Sequence, residues 1–213
     1  MLVSIASRDD FHTQRNNVID PANTCNVTSM VNALLASGIQ LPSCEGQPED
    51  ALAQILDSPE AHEKLARDYP QMAAMPPREV HAILSWATNE KFMKKKVTTF
   101  ASSISMNEIL YRVFKFKCAS VISTTMTRGG HLVTVSGFSS TQRPEKINGP
   151  GDLDLTSVRR VYLLDSWGDW ASAYEPGCSG FNVGVSIDEL MAMTKPVSVQ
   201  RKWAHIISPT GVF

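Results

Sequence analysis

Apolar residues fall at helical spacing early in the chain. Val27, Met30, Val31, Leu34 and Leu35 share one face. Asn23 or Thr24 suits the N-cap, and Gly38 suits the left-handed residue beyond the last turn. The pattern predicts a helix across residues 23–38 that opens on Cys25. After a loop rich in Pro, Ser and Gly at 40–47, residues 48–56 repeat the helical period with Leu52, Ile55 and Leu56. Residues 59–69 form a more polar helix. Another helix starts at Pro77, a favoured first helical position, and carries Val80, Ile83, Leu84 and Trp86.

The pattern then changes towards strands. A short one is expected at 97–100, and Ser105-Met106-Asn107-Glu108 has the spacing of a capping box that starts a helix ending near Phe116. Residues 118–126 are rich in Val, Ile and Thr, Arg128-Gly129-Gly130 makes a turn, and 131–138 form the next strand. A polar loop covers 139–156, and a further strand, 159–165, ends at Asp165. Ser186-Ile187-Asp188-Glu189 is a second capping box, and 203–207 read as a closing strand. Val3 and Ile5 suggest a short strand at the start. The reading is a single domain, 1–213, of α+β class. Its helical section spans about 42–96, its sheet section is largely antiparallel and spans about 97–213, and the Cys25 helix lies at their junction.

Composition narrows the function without naming it. With 213 residues, 43% hydrophobic content and a formal net charge of −1, the chain has a sizeable core and no dominant charge. No nucleic acid or acidic membrane is therefore expected as a partner. Lys94-Lys95-Lys96 reads as a solvated connection rather than a nucleic-acid patch. No apolar run approaches the ~20 residues of a membrane span. The first residues lack the basic start and apolar core of a secretory signal, so a cytoplasmic location is expected. The four cysteines are far apart and form no C-x-x-C pair, which argues for reduced thiols and against a zinc site.

Three residues then stand out. Cys25 sits in a first helical turn, where free N–H groups and the helix dipole favour an anion, and a thiolate is the nucleophilic form of cysteine. Cysteine is also a common inert core residue, so partners are required. His131 begins a strand directly after two glycines, which leave room beside its ring, and Asp165 ends the next one. In an antiparallel pair the start of one strand lies beside the end of the other, so both residues fall at one edge of the sheet. Asp165 there can hold the imidazole while the other ring nitrogen faces the thiol. Asp169 and Asn182 are weaker alternatives to Asp165. His12 is a candidate cleft residue, His62, His81 and His205 read as helix-surface or strand residues, and Cys44, Cys118 and Cys178 as structural. Trp167, Trp170 and Tyr174 are candidates for a groove floor or for the core.

Thr24-Cys25-Asn26-Val27-Thr28-Ser29-Met30, Gly129-Gly130-His131-Leu132-Val133-Thr134-Val135-Ser136-Gly137-Phe138 and Leu163-Leu164-Asp165-Ser166-Trp167-Gly168 together resemble papain-like cysteine peptidases. The nearest branch in pattern is the bacteriocin-leader (double-glycine) peptidase-like domains of the stand-alone bacterial and phage type. The resemblance covers about 12–38 and 118–207. It implies the papain-like fold, Cys25 as nucleophile, His131 as base and acid, Asp165 as the orienting group, and an upstream glutamine, Gln14, whose amide helps to bind the oxyanion. Gln14 lies eleven residues before Cys25, a longer gap than in compact relatives, so Asn16, Asn17 and Asn23 remain alternatives. Asn26-Val27 stands where the family often has Gly-Pro, and Ser166 where it often has Pro.

The chemistry that this implies is hydrolysis of a peptide or amide bond through an acyl-enzyme, with no metal and no cofactor. The substrate suggested by the phage-type resemblance is the peptide of bacterial peptidoglycan, with protein or leader-peptide processing as the alternative. A non-catalytic binding module and an acyl or amine transferase on the same fold are further readings. The oligomeric state is not legible in the sequence.

Overall fold

The computed structural model describes residues 1–194 and 201–213. In chain order its elements are β1 (Leu2–Ser4), α1 (Cys25–Ala36), α2 (Pro48–Leu56), α3 (Pro59–Asp68), α4 (His81–Trp86), β2 (Thr98–Ser105), α5 (Met106–Phe116), β3 (Ser120–Thr124), β4 (His131–Ser140), β5 (Val158–Leu164), β6 (Val183–Val185), α6 (Ile187–Met193) and β7 (Arg201–Ile207). The strands form one sheet in the order β2-β7-β3-β4-β5-β6, and β1 pairs with β4 beyond the end of β3. Every pairing is antiparallel. The class is α+β, as the sequence pattern predicts.

Strand alternation divides the interior into two cores. Ile122, Val133, Val135, Leu163, Ala204 and Ile206 turn to one face, where α5 and α6 supply Ile109, Leu110, Val113 and Leu190. Val121, Leu164 and Ile207 turn to the other, against α1 to α4. The sheet is thus covered on both faces, which explains why β3 and most of β4 are buried at successive positions. Both capping boxes form. Ser105 and Ser186 each accept from the backbone of Glu108 and Glu189, whose carboxylates return to the N-cap N–H.

Three expectations are modified. The helix expected from Pro77 is a 3-10 turn (Pro77–Glu79), then α4, then a π-helical segment (Ala87–Phe92). Val80 is extended and breaks the first turn from the second. The wider π turn carries Asn89, whose side chain accepts from the backbone N–H groups of Val97 and Thr98 and donates to the Thr98 carbonyl, starting β2. Strand β2 is longer than expected, and the three-residue β6, with Gly184 at its centre, carries too little pattern to be read from sequence. No helix among the described residues is long and apolar enough to cross a membrane. Lys94, Lys95 and Lys96 are exposed.

Helix α1 is buried almost all round, including Asn26, Thr28, Ser29 and Asn32. A buried polar group needs a partner, and each of these has one. Ser29 Oγ donates to the Leu132 carbonyl at 2.8 Å, and Thr134 Oγ1 donates to the Ser29 carbonyl at 2.8 Å, so the helix is fastened to β4 at two points. Asn32 exchanges hydrogen bonds with both backbone groups of His12. Replacing Thr134 with valine keeps the shape and leaves the Ser29 carbonyl without this donor. Urea denaturation is expected to show a loss of about 1–3 kcal/mol, and an unchanged midpoint would mean that this tie does not hold α1 to the sheet.

Candidate active site

Cys25 is the first residue of α1. The N-cap is Thr24, but its hydroxyl does not cap the helix; it accepts from Asn17 Nδ2 at 2.9 Å. The first turn of α1 faces a cleft of about 600 Å3 that Cys25 shares with Gln14, His131 and Trp167. Gly129 and Gly130 line the same cleft beside His131, as expected from the room they leave.

Antiparallel pairing brings His131 and Asp165 together. Thr134 of β4 faces Leu164 of β5, which places the first residue of β4 beside the residue that follows β5. His131 Nε2 lies 2.7 Å from Asp165 Oδ1, and both side chains are buried. The second ring nitrogen, Nδ1, is thereby left for the Cys25 thiol. Burial lowers the pKa of His131, but the hydrogen bond to Asp165, the interaction with Cys25 and the charges of both outweigh it, and the pKa rises to about 9. The imidazolium is therefore the form present at neutral pH.

Asp165 is held by its own loop. Its Oδ1 also accepts from the Trp167 N–H at 3.0 Å, and its backbone N–H donates to the Gly180 carbonyl at 2.9 Å. A Cβ at Gly180 would lie 1.7 Å from the Asp165 carbonyl oxygen, so only glycine fits there. Tyr174 reaches the same carboxylate from a left-handed backbone, at φ 62° beside Ala173 at φ 53°. Its buried Oη closes no hydrogen bond of regular geometry. Burial, then the Asp165 charge and its contact with the phenol, raise the Tyr174 pKa. Tyr174 is thus neither a groove floor nor core packing, and its place beside Asp165 left no signal in the sequence. The alternative aspartate, Asp169, is engaged elsewhere and accepts from the Ala171 N–H at the start of a 3-10 turn (Trp170–Ser172).

Gln14 lies in a 3-10 helix (Gln14–Asn16) and is 1% exposed. Its backbone N–H and the Thr13 hydroxyl both donate to the Ser166 carbonyl. Its Nε2 donates to the Pro21 carbonyl at 2.8 Å, so its Oε1 is the atom that receives the Ser166 hydroxyl at 2.6 Å. These contacts settle the orientation of the amide and leave the second Nε2–H unpartnered among the described residues. Ser166, where the resemblance often has proline, is therefore what anchors Gln14. The asparagines offer less. Asn17 spends both amide hydrogens on Thr24 and Thr28. Asn23 also lines the cleft, but its Nδ2 donates to Asp20, and Asn16 is exposed.

Other residues singled out by sequence lie apart from this arrangement. His12 does not line the cleft and pairs with the buried Glu49 at 3.0 Å, which raises its pKa. His81 and His205 contact each other at 3.1 Å, and burial together with His81 pushes His205 down to about 3. Cys44, Cys118 and Cys178 are free, with Cys118 buried and its thiol pKa raised by burial. Trp170 packs against the core, while Trp167 lines the cleft with the Arg15 guanidinium over its ring. No cluster of ligand side chains able to hold a metal ion occurs among the described residues.

The geometry separates the two aspartates. Asp165→Asn is expected to lower the His131 pKa from about 9, because the largest raising influence is removed, whereas Asp169→Asn leaves it unchanged. An NMR titration of the His131 ring reads this directly, and equal shifts in the two variants would overturn the assignment. The stability that the raised pKa provides is fully present below the ordinary value of 6.5 and is lost as pH rises through about 9. Compared with family models, curated proteins and solved structures, the chain matches none, so the functional reading rests on the residues themselves.

Proposed function

We propose that the protein is a cysteine hydrolase of peptide or amide bonds, with Cys25, His131 and Asp165 as its triad on a papain-like fold. The observation that carries this reading is the His131–Asp165 hydrogen bond of 2.7 Å at the mouth of a helix that starts with Cys25. The Cys25 thiolate attacks the carbonyl carbon, and the developing oxyanion receives the Cys25 N–H and the free Nε2–H of Gln14. Protonated His131 gives its Nδ1 proton to the leaving amine, which departs and leaves a thioester on Cys25. The neutral imidazole then takes a proton from water, the resulting hydroxide attacks the thioester, the carboxylic acid is released, and the thiolate–imidazolium pair is restored. Asp165 keeps the ring in place through both half-reactions without accepting the proton. Peptidoglycan peptide is the substrate class that the resemblance favours, and the expected location is cytoplasmic, the host cytoplasm for a phage-encoded chain.

Iodoacetamide is expected to label Cys25 faster than Cys44, Cys118 or Cys178 near neutral pH. Equal rates at all four, located by mass spectrometry of the folded protein, would favour a binding module instead. Hydrolysis of a peptide found by incubation with peptidoglycan fragments and host proteins should decline above pH about 9, where His131 loses the proton owed to the leaving amine. Alkylation needs no such proton and should not decline there.

Gln14→Ala is expected to lower turnover by about 10²–10³-fold with little change in KM, since an oxyanion donor acts mainly in the transition state. Alkylation of Cys25 should remain rapid in that variant. Full turnover in Gln14→Ala would move the oxyanion donor to another residue.

A further inference from the structure

Among the described residues, the cleft beside Cys25 carries an unbalanced charge. Besides Cys25 and His131, the described titratable side chain that lines it is Glu79, and no lysine or arginine among the described residues does. Glu79 is exposed and forms no ion pair among the described residues. Its neighbour Arg78 does not line the cleft and is committed to Asp20 at 2.7 Å. The His131 charge is already balanced by Asp165. His81, two residues beyond Glu79, is kept neutral near pH 7 by burial.

The backbone turn that carries Glu79 is held in place relative to the nucleophile. Asn26, the residue after Cys25, donates through Nδ2 to the Arg78 carbonyl at 2.6 Å. The 3-10 turn that ends at Glu79 is thus fastened to the first turn of α1. Trp203 of β7 lines the same cleft and is itself braced, its ring 4.2 Å from that of His81 and 5.8 Å from that of Phe100. A carboxylate and an indole that line the same cleft can attract the same group. The carboxylate pairs with an ammonium or guanidinium, and the indole face adds a cation–π attraction and covers the apolar stem.

We propose that Glu79 and Trp203 form a subsite that receives a cationic side chain of the substrate, a lysine-like or arginine-like amine close to the bond that is cut. The proposal rests on the reading of Cys25 as the nucleophile of this cleft and names the substrate class that it serves: cationic peptides. The departure from the family pattern at Asn26 has a role in this arrangement, because Asn26 is what ties the acidic turn to the catalytic helix.

Two experiments separate the subsite from the chemistry. With the Cys25→Ala variant, acetylated alanine peptide amides carrying one lysine, norleucine or glutamate are titrated while the Trp203 indole signal is followed by NMR. The lysine peptide is expected to bind roughly ten-fold more tightly than the norleucine peptide, with the glutamate peptide weakest. Glu79→Gln in the same background should remove most of that preference, and Glu79→Asp should keep part of it. Equal affinity for lysine and norleucine peptides, or an undiminished preference in Glu79→Gln, would overturn the subsite. With the wild-type protein, peptidyl acyloxymethyl ketones bearing the same three residues are compared for their rate of Cys25 labelling, with iodoacetamide as the neutral reference. A lysine preference in binding with no labelling of Cys25 by any reagent leaves the subsite standing and defeats the hydrolase reading. Rapid labelling without a lysine preference in either assay does the reverse.

Discussion

Helix α1 and strand β4 are locked face to face by the reciprocal pair of bonds at Ser29, and the remaining arrangement of the cleft depends on that lock. Ser29 donates to the carbonyl of Leu132, the residue next to His131, while its own carbonyl receives Thr134. Ser29 lies four positions after Cys25, about one helical turn. The lock therefore controls how the start of the helix meets the start of the strand. Small side chains permit the approach: Ser29 and Ala33 are fully buried. A larger residue on this face would lift the helix and with it the thiol.

The second constraint is electrostatic. Asp165 and His131 are buried, and a buried carboxylate is tolerated only where partners compensate its lost hydration. The imidazolium and the Trp167 N–H meet that need at Oδ1. The loop is arranged around the same residue. Gly180 allows the close passage of two backbone segments, and the left-handed pair Ala173 and Tyr174 turns the phenol back to the carboxylate. Backbone in such sparsely populated regions costs free energy and persists where the surroundings hold it. Part of that cost falls beside the residue expected to orient the imidazole.

The two halves of the molecule supply different functions to one cleft. The sheet contributes His131, Asp165 and, through Ser166, the anchor of Gln14. The helical half contributes Cys25 and, through the Asn26–Arg78 bond, the acidic turn at Glu79. Trp203 on β7 lines the same cleft, its ring tilted against that of His81 of α4. The proposed triad and the proposed subsite thus each draw on both halves, which meet at the N-terminus of α1.

Local sequence was enough for the elements whose physics is local. The periodicity of Val27, Met30, Val31 and Leu34, the boxes at Ser105 and Ser186, and the Gly129-Gly130 turn each depend on neighbours within a few positions, and each forms where the pattern predicts it. The pairing of His131 with Asp165 was legible because antiparallel strands oblige the start of one to meet the end of the next. The polar residues of α1 could not be assigned partners in this way, since Ser29 and Asn32 bond to residues 103 and 20 positions away. The choice of Gln14 over Asn17 and the place of Tyr174 beside Asp165 likewise waited on tertiary structure. So did the exposure of Glu79 in the cleft, which depends on a side-chain bond between two elements 52 positions apart. Helix and turn preferences are set by short-range sterics and hydrogen bonds, whereas the site is an agreement among distant groups that only the packed chain brings within reach.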